Sequence, residues 1–289
     1  MHFRLFRLSI LSCVLVFFFT PLHAKAGVEK DIAYGALDLQ RLDVYSPRRA
    51  SGAPVMIFVH GGGWQIGDKK RVHRKPAAFK AEGFVFVSVG YPLLPDHAVE
   101  TQAQSVAMAI AWVAKNIADY GGDPSQLHLM GHSAGAHLAA LSAFNPKYLQ
   151  EYGVKSESIR SFTSVDGVTL DISWRMQNLD QLGPVAGRMF ENAFGDNPVR
   201  WKKLSPSHYI RRKNHLPPSL FLLAEEGTGS RTSAEQVASR IRQAGGAASV
   251  LEIAGKSHAS INREMGQRRD KAFDDIIAFI GSPGRAIRR

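Results

Sequence analysis

The chain has 289 residues, 36 Lys and Arg against 25 Asp and Glu, and a formal net charge of +11. The single cysteine, Cys13, excludes intrachain disulfides and thiolate metal sites, so the core must supply the stability. The basic balance does not predict nucleic-acid binding, because no basic patch with interleaved aromatic residues is present.

The first residues predict an export signal. Arg4 and Arg7 precede an apolar stretch from residue 8 to about 20, and the small-residue triplet 24–26 follows. That stretch is shorter than the ~20 residues that a membrane span needs, and no later segment is apolar for that length. We predict a signal peptide over 1–26 and a periplasmic or secreted protein. Lipid attachment at Cys13 is disfavoured, because most of the apolar stretch follows it.

Short apolar runs alternate with helical patterns through most of the remaining chain. The runs are rich in β-branched and aromatic residues, and they predict strands over 37–45, 55–59, 85–89, 127–130, 159–165, 220–224 and 250–253. Apolar spacings of three and four predict helices over 102–117, 134–144, 233–244 and 271–280. This alternation predicts one α/β domain over 27–289, with a mainly parallel central sheet flanked by helices.

Residues 145–216 break the alternation. The segment is irregular, rich in aromatic residues and Met, and contains the turn signals 183–184, 197–198 and 205–206. We predict a small cap-like insertion, whose aromatic residues form either a satellite core or a partial cover over a pocket.

A nucleophile motif follows the strand at 127–130. Gly131-His-Ser-Ala-Gly135 has the G-x-S-x-G pattern and opens the helix at 134. A serine in a sharp turn between strand and helix needs small neighbours, because the chain passes close by. Ser133 at the helix N-terminus is therefore the candidate nucleophile.

A glycine run follows the strand at 55–59. His60-Gly-Gly-Gly-Trp64 indicates backbone that must approach a ligand closely, although a flexible loop is the simpler interpretation. A phosphate loop is disfavoured, since no Lys-Ser/Thr pair follows. We predict an oxyanion hole from the amides of Gly62, Gly63 and Ala134, with His60 and Trp64 lining the substrate pocket.

The general base is predicted among 11 histidines. His258 has the best position, in a short loop between the strand at 250–253 and the closing helix, and it can activate an otherwise inert serine. No H-E-x-x-H motif or Cys/His cluster is present, so we predict no metal and no cofactor.

Together these motifs resemble the α/β-hydrolase superfamily. HGGGW, Gly67-Asp-Lys, Tyr91-Pro, Gly121-Gly-Asp-Pro, GHSAGAHLA, Ser205-Pro, Pro217-Pro and the late His258 are most similar to carboxylesterases of the hormone-sensitive-lipase-like and acetylxylan/feruloyl-esterase-like groups. The resemblance covers about 35–281. It implies a nucleophile at Ser133, a base at His258 and oxyanion amides at Gly62, Gly63 and Ala134.

One position departs from the family pattern. Relatives commonly carry Ala/Gly-Glu-x-Asp after the Pro-Pro-led strand, whereas this chain has Ala224-Glu-Glu-Gly. Glu226 is our first candidate for the acid that orients His258, because the order Ser133, Glu226, His258 fits the fold. Asp166, at the end of the preceding strand, is the rival, and Glu225 and Asp171 remain open.

The predicted activity is ester hydrolysis through an acyl-enzyme. The modest aromatic cap suits short acyl or aryl esters, either as small molecules or on an acylated polymer. Two alternatives remain: an arylformamidase-type amide hydrolase, and a hydrolase-fold binding protein that has lost turnover. The sequence does not indicate an oligomeric state.

Overall fold

The computed structural model describes residues 25–167, 169–226 and 231–282. The predicted signal peptide lies outside these ranges except for residues 25 and 26, and export stays a prediction. Among the described residues, no helix combines the length and apolar character that crossing a membrane requires.

Eight strands form one sheet in the order β1-β2-β4-β3-β5-β6-β7-β8. Pairing is antiparallel between β1, β2 and β4 and parallel from β4 to β8, which confirms the mainly parallel sheet. The strands are β1 Gly27–Ala33, β2 Arg41–Ser46, β3 Ala53–Val59, β4 Val85–Val89, β5 Gly122–His132, β6 Ile159–Val165, β7 Ser219–Glu226 and β8 Ala248–Ser257.

The edge strand β1 was not predicted from the sequence. It is polar and largely exposed, so it carries no apolar alternation. The prediction of a strand over 37–45 was shifted, because β2 spans Arg41–Ser46.

Helices cover both faces of the sheet. They are α1 Lys75–Ala81, α2 Val99–Asn116, α3 Ala134–Phe144, α4 Pro146–Gln150, α5 Ile172–Met176, α6 Pro184–Phe194, α7 Pro198–Lys203, α8 Arg231–Gln243, α9 His258–Arg263 and α10 Lys271–Gly281. One core layer packs α2, α3 and α8 on the sheet, and a second packs α1, α9 and α10 on the opposite face. Helix α3 is buried along its whole length.

Helices α5, α6 and α7 lie between β6 and β7, within the predicted cap-like segment. An ion pair and an aromatic cluster are among the contacts that hold them to the main domain. Arg200 of α7 makes a bidentate ion pair with Glu100 of α2, at 2.7 and 2.8 Å. On α6, the rings of Phe190 and Phe194 pack edge-on against Trp64, with ring centroids 5.3 and 4.9 Å away.

The carboxyl ends of the parallel strands meet at one edge of the sheet. The glycine run follows β3, Ser133 follows β5, Asp166 follows β6 and His258 follows β8. In open α/β sheets, this edge is where ligands bind, because loops of several strands converge there.

Candidate active site

Ser133 occupies a strained turn between β5 and α3. Its backbone angles are φ 53° and ψ −125°, a region that residues other than glycine rarely adopt. A Cβ at Gly131 would collide with the backbone of Gly135, and a Cβ at Gly135 would collide with the carbonyls of Val59 and His60. The two glycines therefore allow the close packing that holds this turn.

His258 begins α9 directly after β8, and a capping box fixes this start. The Ser257 side chain accepts from the Ser260 amide, while the Ser260 hydroxyl accepts from the Ser257 amide. The structure places His258 Nε2 3.1 Å from Ser133 Oγ.

Asp166 is the carboxylate that lies against His258. Its Oδ2 is 2.6 Å from His258 Nδ1, and its Oδ1 accepts from the amide of Ala224 at 3.1 Å. A carboxylate only accepts, so Nδ1 carries the proton and Nε2 can accept from the Ser133 hydroxyl. Asp166 is fully buried, and its hydrogen bond with Nδ1 fixes the orientation of the imidazole ring.

The prediction that Glu226 orients His258 is wrong. Glu226 is exposed at the end of β7, and the strand contributes the amide of Ala224 instead of a carboxylate. The other candidates are engaged elsewhere: Glu225 accepts from the Gly255 amide at 2.7 Å. Asp171 caps α5 by accepting from the Trp174 amide at 3.0 Å.

The glycine loop abuts the serine turn. A Cβ built on Gly61 would lie 2.9 Å from Ser133 Cβ, so only glycine allows this approach. Among the described backbone hydrogen bonds, none is donated by the amides of Gly62 or Gly63. Ala134 is the first residue of α3, where the amide has no intrahelical acceptor. These three amides are thus free to bind an oxyanion beside Ser133.

Two aromatic residues frame this loop in different ways. His60 lines the cavity and stacks on Tyr91, with ring centroids 4.3 Å apart. The prediction that Trp64 lines the pocket is wrong, because Trp64 is fully buried. Its Nε1 donates to His137 Nδ1 at 3.3 Å, and the two phenylalanine rings of α6 make T-shaped contacts with its ring. Trp64 therefore joins the glycine loop to the cap.

A cavity of about 1030 Å³ opens onto Ser133 and His258. The loop Gly61–Gly63 forms one wall, and the cap contributes Leu182, Val185 and Met189. Val185 is 78% exposed and Ile66, across the cavity, is 62% exposed. These two side chains give the cavity an exposed apolar patch, which suits a hydrophobic acyl or aryl group.

The two buried histidines that line the cavity, His132 and His60, are neutral. Burial lowers the pKa of His132 to about 3 and that of His60 to about 4. His132 Nε2 lies 2.9 Å from the carbonyl of His258, a contact that supports the start of α9. Neither residue can take up a proton near neutral pH, which leaves His258 as the candidate base.

A buried lysine links α1 to α9 and gives the stability a pH dependence. Lys75 is fully buried, its Nζ donates to the carbonyl of Asn262 at 2.6 Å, and burial lowers its pKa to about 7. Between pH 7 and the ordinary lysine value of 10.5, the unfolded state binds a proton that the folded state has released, so stability rises with pH.

We expect the difference in unfolding free energy between wild type and Lys75→Met to grow by about 1–3 kcal/mol in favour of wild type from pH 7 to 9.5. Urea unfolding at both pH values measures it. Lys80→Met on the same helix is the control, because Lys80 is only partly buried. A difference that stays flat with pH would show that Lys75 titrates as it does in water.

The strand order, the serine turn and the Ser133–His258–Asp166 chain define a protein of the α/β-hydrolase fold class. Within that class, the chain belongs to the BD-FAE family, whose model matches residues 42–227. The match includes Ser133 and Asp166 but ends before His258.

Sequence comparison finds esterases among the curated relatives. A probable isoprenylcysteine alpha-carbonyl methylesterase of Arabidopsis thaliana is 26% identical over 280 residues, which is 91% of this chain and 57% of the relative. Esterase LipQ of Mycobacterium tuberculosis is 31% identical over 253 residues, or 83% of this chain and 59% of LipQ. The chain thus spans less than two thirds of the length of these relatives.

Structure comparison finds the same fold in a solved esterase. Thermogutta terrifontis esterase 2 phosphonylated by sarin superposes with a TM-score of 0.73 at 22% identity, covering 94% of this chain and 99% of that one. Its butyrate-bound form gives a TM-score of 0.71 at 23% identity, covering 91% and 96%.

Proposed function

We propose that the protein is a serine hydrolase that cleaves carboxylic esters through an acyl-enzyme. The observation that carries the proposal is the continuous chain from Ser133 Oγ through His258 to Asp166, at 3.1 and 2.6 Å. The BD-FAE match and the esterase relatives support the same chemistry.

The geometry supports a two-step reaction. Ser133 Oγ attacks the ester carbonyl as its proton passes to His258 Nε2, and the buried Asp166 carboxylate stabilises the resulting imidazolium. The amides of Gly62, Gly63 and Ala134 bind the negative charge that develops on the carbonyl oxygen. His258 then protonates the leaving alcohol, and water, activated by the same imidazole, releases the acid.

The cavity favours short acyl or aryl esters. Its exposed apolar patch at Ile66 and Val185 suits a hydrophobic group, and its volume of about 1030 Å³ suits a molecule of moderate size. The alternative of a hydrolase fold without turnover rested on a missing acid. Asp166 supplies a carboxylate at His258, so that reason no longer holds.

A fluorophosphonate probe tests the proposal, because it phosphonylates an activated serine and needs no knowledge of the natural ester. We expect one label on wild type, none on Ser133→Ala, and hydrolysis of 4-nitrophenyl acetate that requires Ser133. Ser125→Ala is the matched control, since Ser125 is exposed near the opposite end of the same strand. Folded protein without label or turnover would refute the esterase, whereas faster cleavage of an aryl formamide would favour the amide hydrolase.

A further inference from the structure

Arg175 is a buried arginine on the cavity wall whose charge is not neutralised by the described part of the chain. The residue belongs to α5, is 7% exposed, and lines the same cavity as Ser133 and His258. No described hydrogen bond or ion pair reaches its guanidinium, which stacks at 4.8 Å over the ring of Trp174. Burial lowers the pKa of this guanidinium below its ordinary value.

Stacking alone does not satisfy such a group. A guanidinium has five N–H donors in its own plane, and a ring packed on its face accepts none of them. Buried charges in proteins are almost always paired, since removing an ion from water costs several hydrogen bonds. The nitrogen atoms of Arg175 are not among the described polar atoms that are buried without a partner, so they open onto the cavity, where a ligand can accept from them in place of water.

The charged residues that line the cavity with Arg175 favour a negatively charged acceptor. Arg71 and Arg263 also line the cavity, and none of the described residues lining it is Asp or Glu. Arg263 pairs with Glu264 at 3.2 Å, outside the cavity lining. A concave site lined by charges of one sign raises the local concentration of the opposite ion.

We infer that the preferred substrates are esters that carry a second, anionic group, a carboxylate, which Arg175 binds while Ser133 attacks the ester carbonyl. The inference rests on the proposed esterase function and names its substrate class. A carboxylate matches the planar fork of a guanidinium through two parallel N–H···O bonds. Arg175 is then a specificity-determining residue, and the apolar patch at Ile66 and Val185 holds the uncharged part of the molecule.

Two matched pairs of esters test whether the carboxylate is bound on the acyl side or on the alcohol side of the ester bond. On the acyl side, 4-nitrophenyl hydrogen adipate is compared with its neutral methyl ester. On the alcohol side, 4-acetoxybenzoate is compared with methyl 4-acetoxybenzoate. Within each pair a methyl ester replaces the carboxylate, and each kcat/KM value is divided by the rate constant of alkaline hydrolysis of the same aryl ester to remove differences in intrinsic reactivity. We expect at least one anionic ester to exceed its neutral partner by about tenfold or more.

Substitution of Arg175 tests whether it is the source of that preference. Arg175→Gln is expected to lower kcat/KM for the preferred anionic ester by about 10- to 100-fold, mainly through KM, and to leave the neutral ester within about threefold. Arg175→Lys should retain part of the preference, because it keeps the charge but loses the fork. Arg160→Gln is the matched control, since Arg160 is exposed near the start of β6, at the opposite end of the sheet.

Thermal unfolding separates this inference from a purely structural role of Arg175. Under the inference, Arg175→Met is expected to keep or raise Tm, because it removes a buried charge that lacks a partner within the described chain. A lower Tm together with equal losses on neutral and anionic esters would overturn the inference, as would a wild type that disfavours both carboxylates. If neutral esters are cleaved through Ser133 without an anionic preference, only this inference fails. If no ester of either kind is cleaved, the proposed function fails with it.

Discussion

Asp166→Asn is expected to lower kcat for 4-nitrophenyl acetate by about 10⁴-fold, with little change in KM. The asparagine keeps the shape of the side chain, but its amide can donate to His258 Nδ1 and so stabilise the other tautomer. Nε2 then carries the proton and cannot accept one from Ser133. Steady-state kinetics at neutral pH, together with fluorophosphonate labelling rates, measure this loss.

Glu226→Gln is the matched control for that variant. It makes the same change from carboxylate to amide on the neighbouring strand, and Glu226 is exposed. We expect kcat within about threefold of wild type, as for a surface substitution. The reverse ranking of the two variants would return the orienting role to Glu226 and contradict the geometry at His258.

The position of this acid illustrates what the sequence could predict. Both Asp166 and Glu226 lie where parallel strands end, so the pattern of strands placed both at the correct edge of the sheet. The choice between them depends on backbone direction: Asp166 has φ 40°, and its carboxylate is held by the amide of Ala224 on the next strand. A hydrogen bond between residues 58 positions apart leaves no signal in one sequence.

The serine turn and the glycine loop were easier to predict, because their requirements are local. A serine turn needs glycines at 131 and 135, and the loop needs glycines at 61–63, so the motifs carry their own geometry. Trp64 was misplaced since its burial depends on α6, which is distant along the chain and follows an irregular pattern. Arg175 was missed for the same reason, because nothing in its neighbouring residues indicates that its charge lies in a cavity.

The cap also shows how the site depends on distant contacts. Arg200 fixes α7 to α2, and the Trp64 cluster fixes α6 to the glycine loop. Helix α6 reaches the loop at Gly63, where any Cβ would collide with the side chain of Met189. The loop is therefore held between the sheet on one side and the cap on the other, which favours a fixed arrangement of its amides over one formed on binding.

Gly62→Ala tests that fixed arrangement, and we expect it to lower kcat by about 10²- to 10³-fold. Gly62 has φ 131°, which an L side chain rarely adopts, and its Cβ would collide with the backbone carbonyl of Ile66. Gly62 and Ile66 belong to the same tight turn, which is closed by hydrogen bonds from the amides of Gln65 and Ile66 to the carbonyl of Gly62. The turn must open, and the amides of Gly62 and Gly63 then change position in the cavity that Ser133 also lines.

Gly52→Ala separates this effect from backbone strain in general. Gly52 also has a positive φ, 64°, but a Cβ there meets nothing within 4 Å, and the residue precedes β3 at the edge of the sheet opposite the site. Gly52→Ala should lose about 1 kcal/mol of stability from the conformational cost. Gly62→Ala should lose more, because its Cβ also collides with the backbone carbonyl of Ile66. Only Gly62→Ala should lose turnover, and its rate of fluorophosphonate labelling should fall in parallel, because that reaction also develops charge on an oxygen next to Ser133. Normal kcat in Gly62→Ala would assign oxyanion binding to other donors.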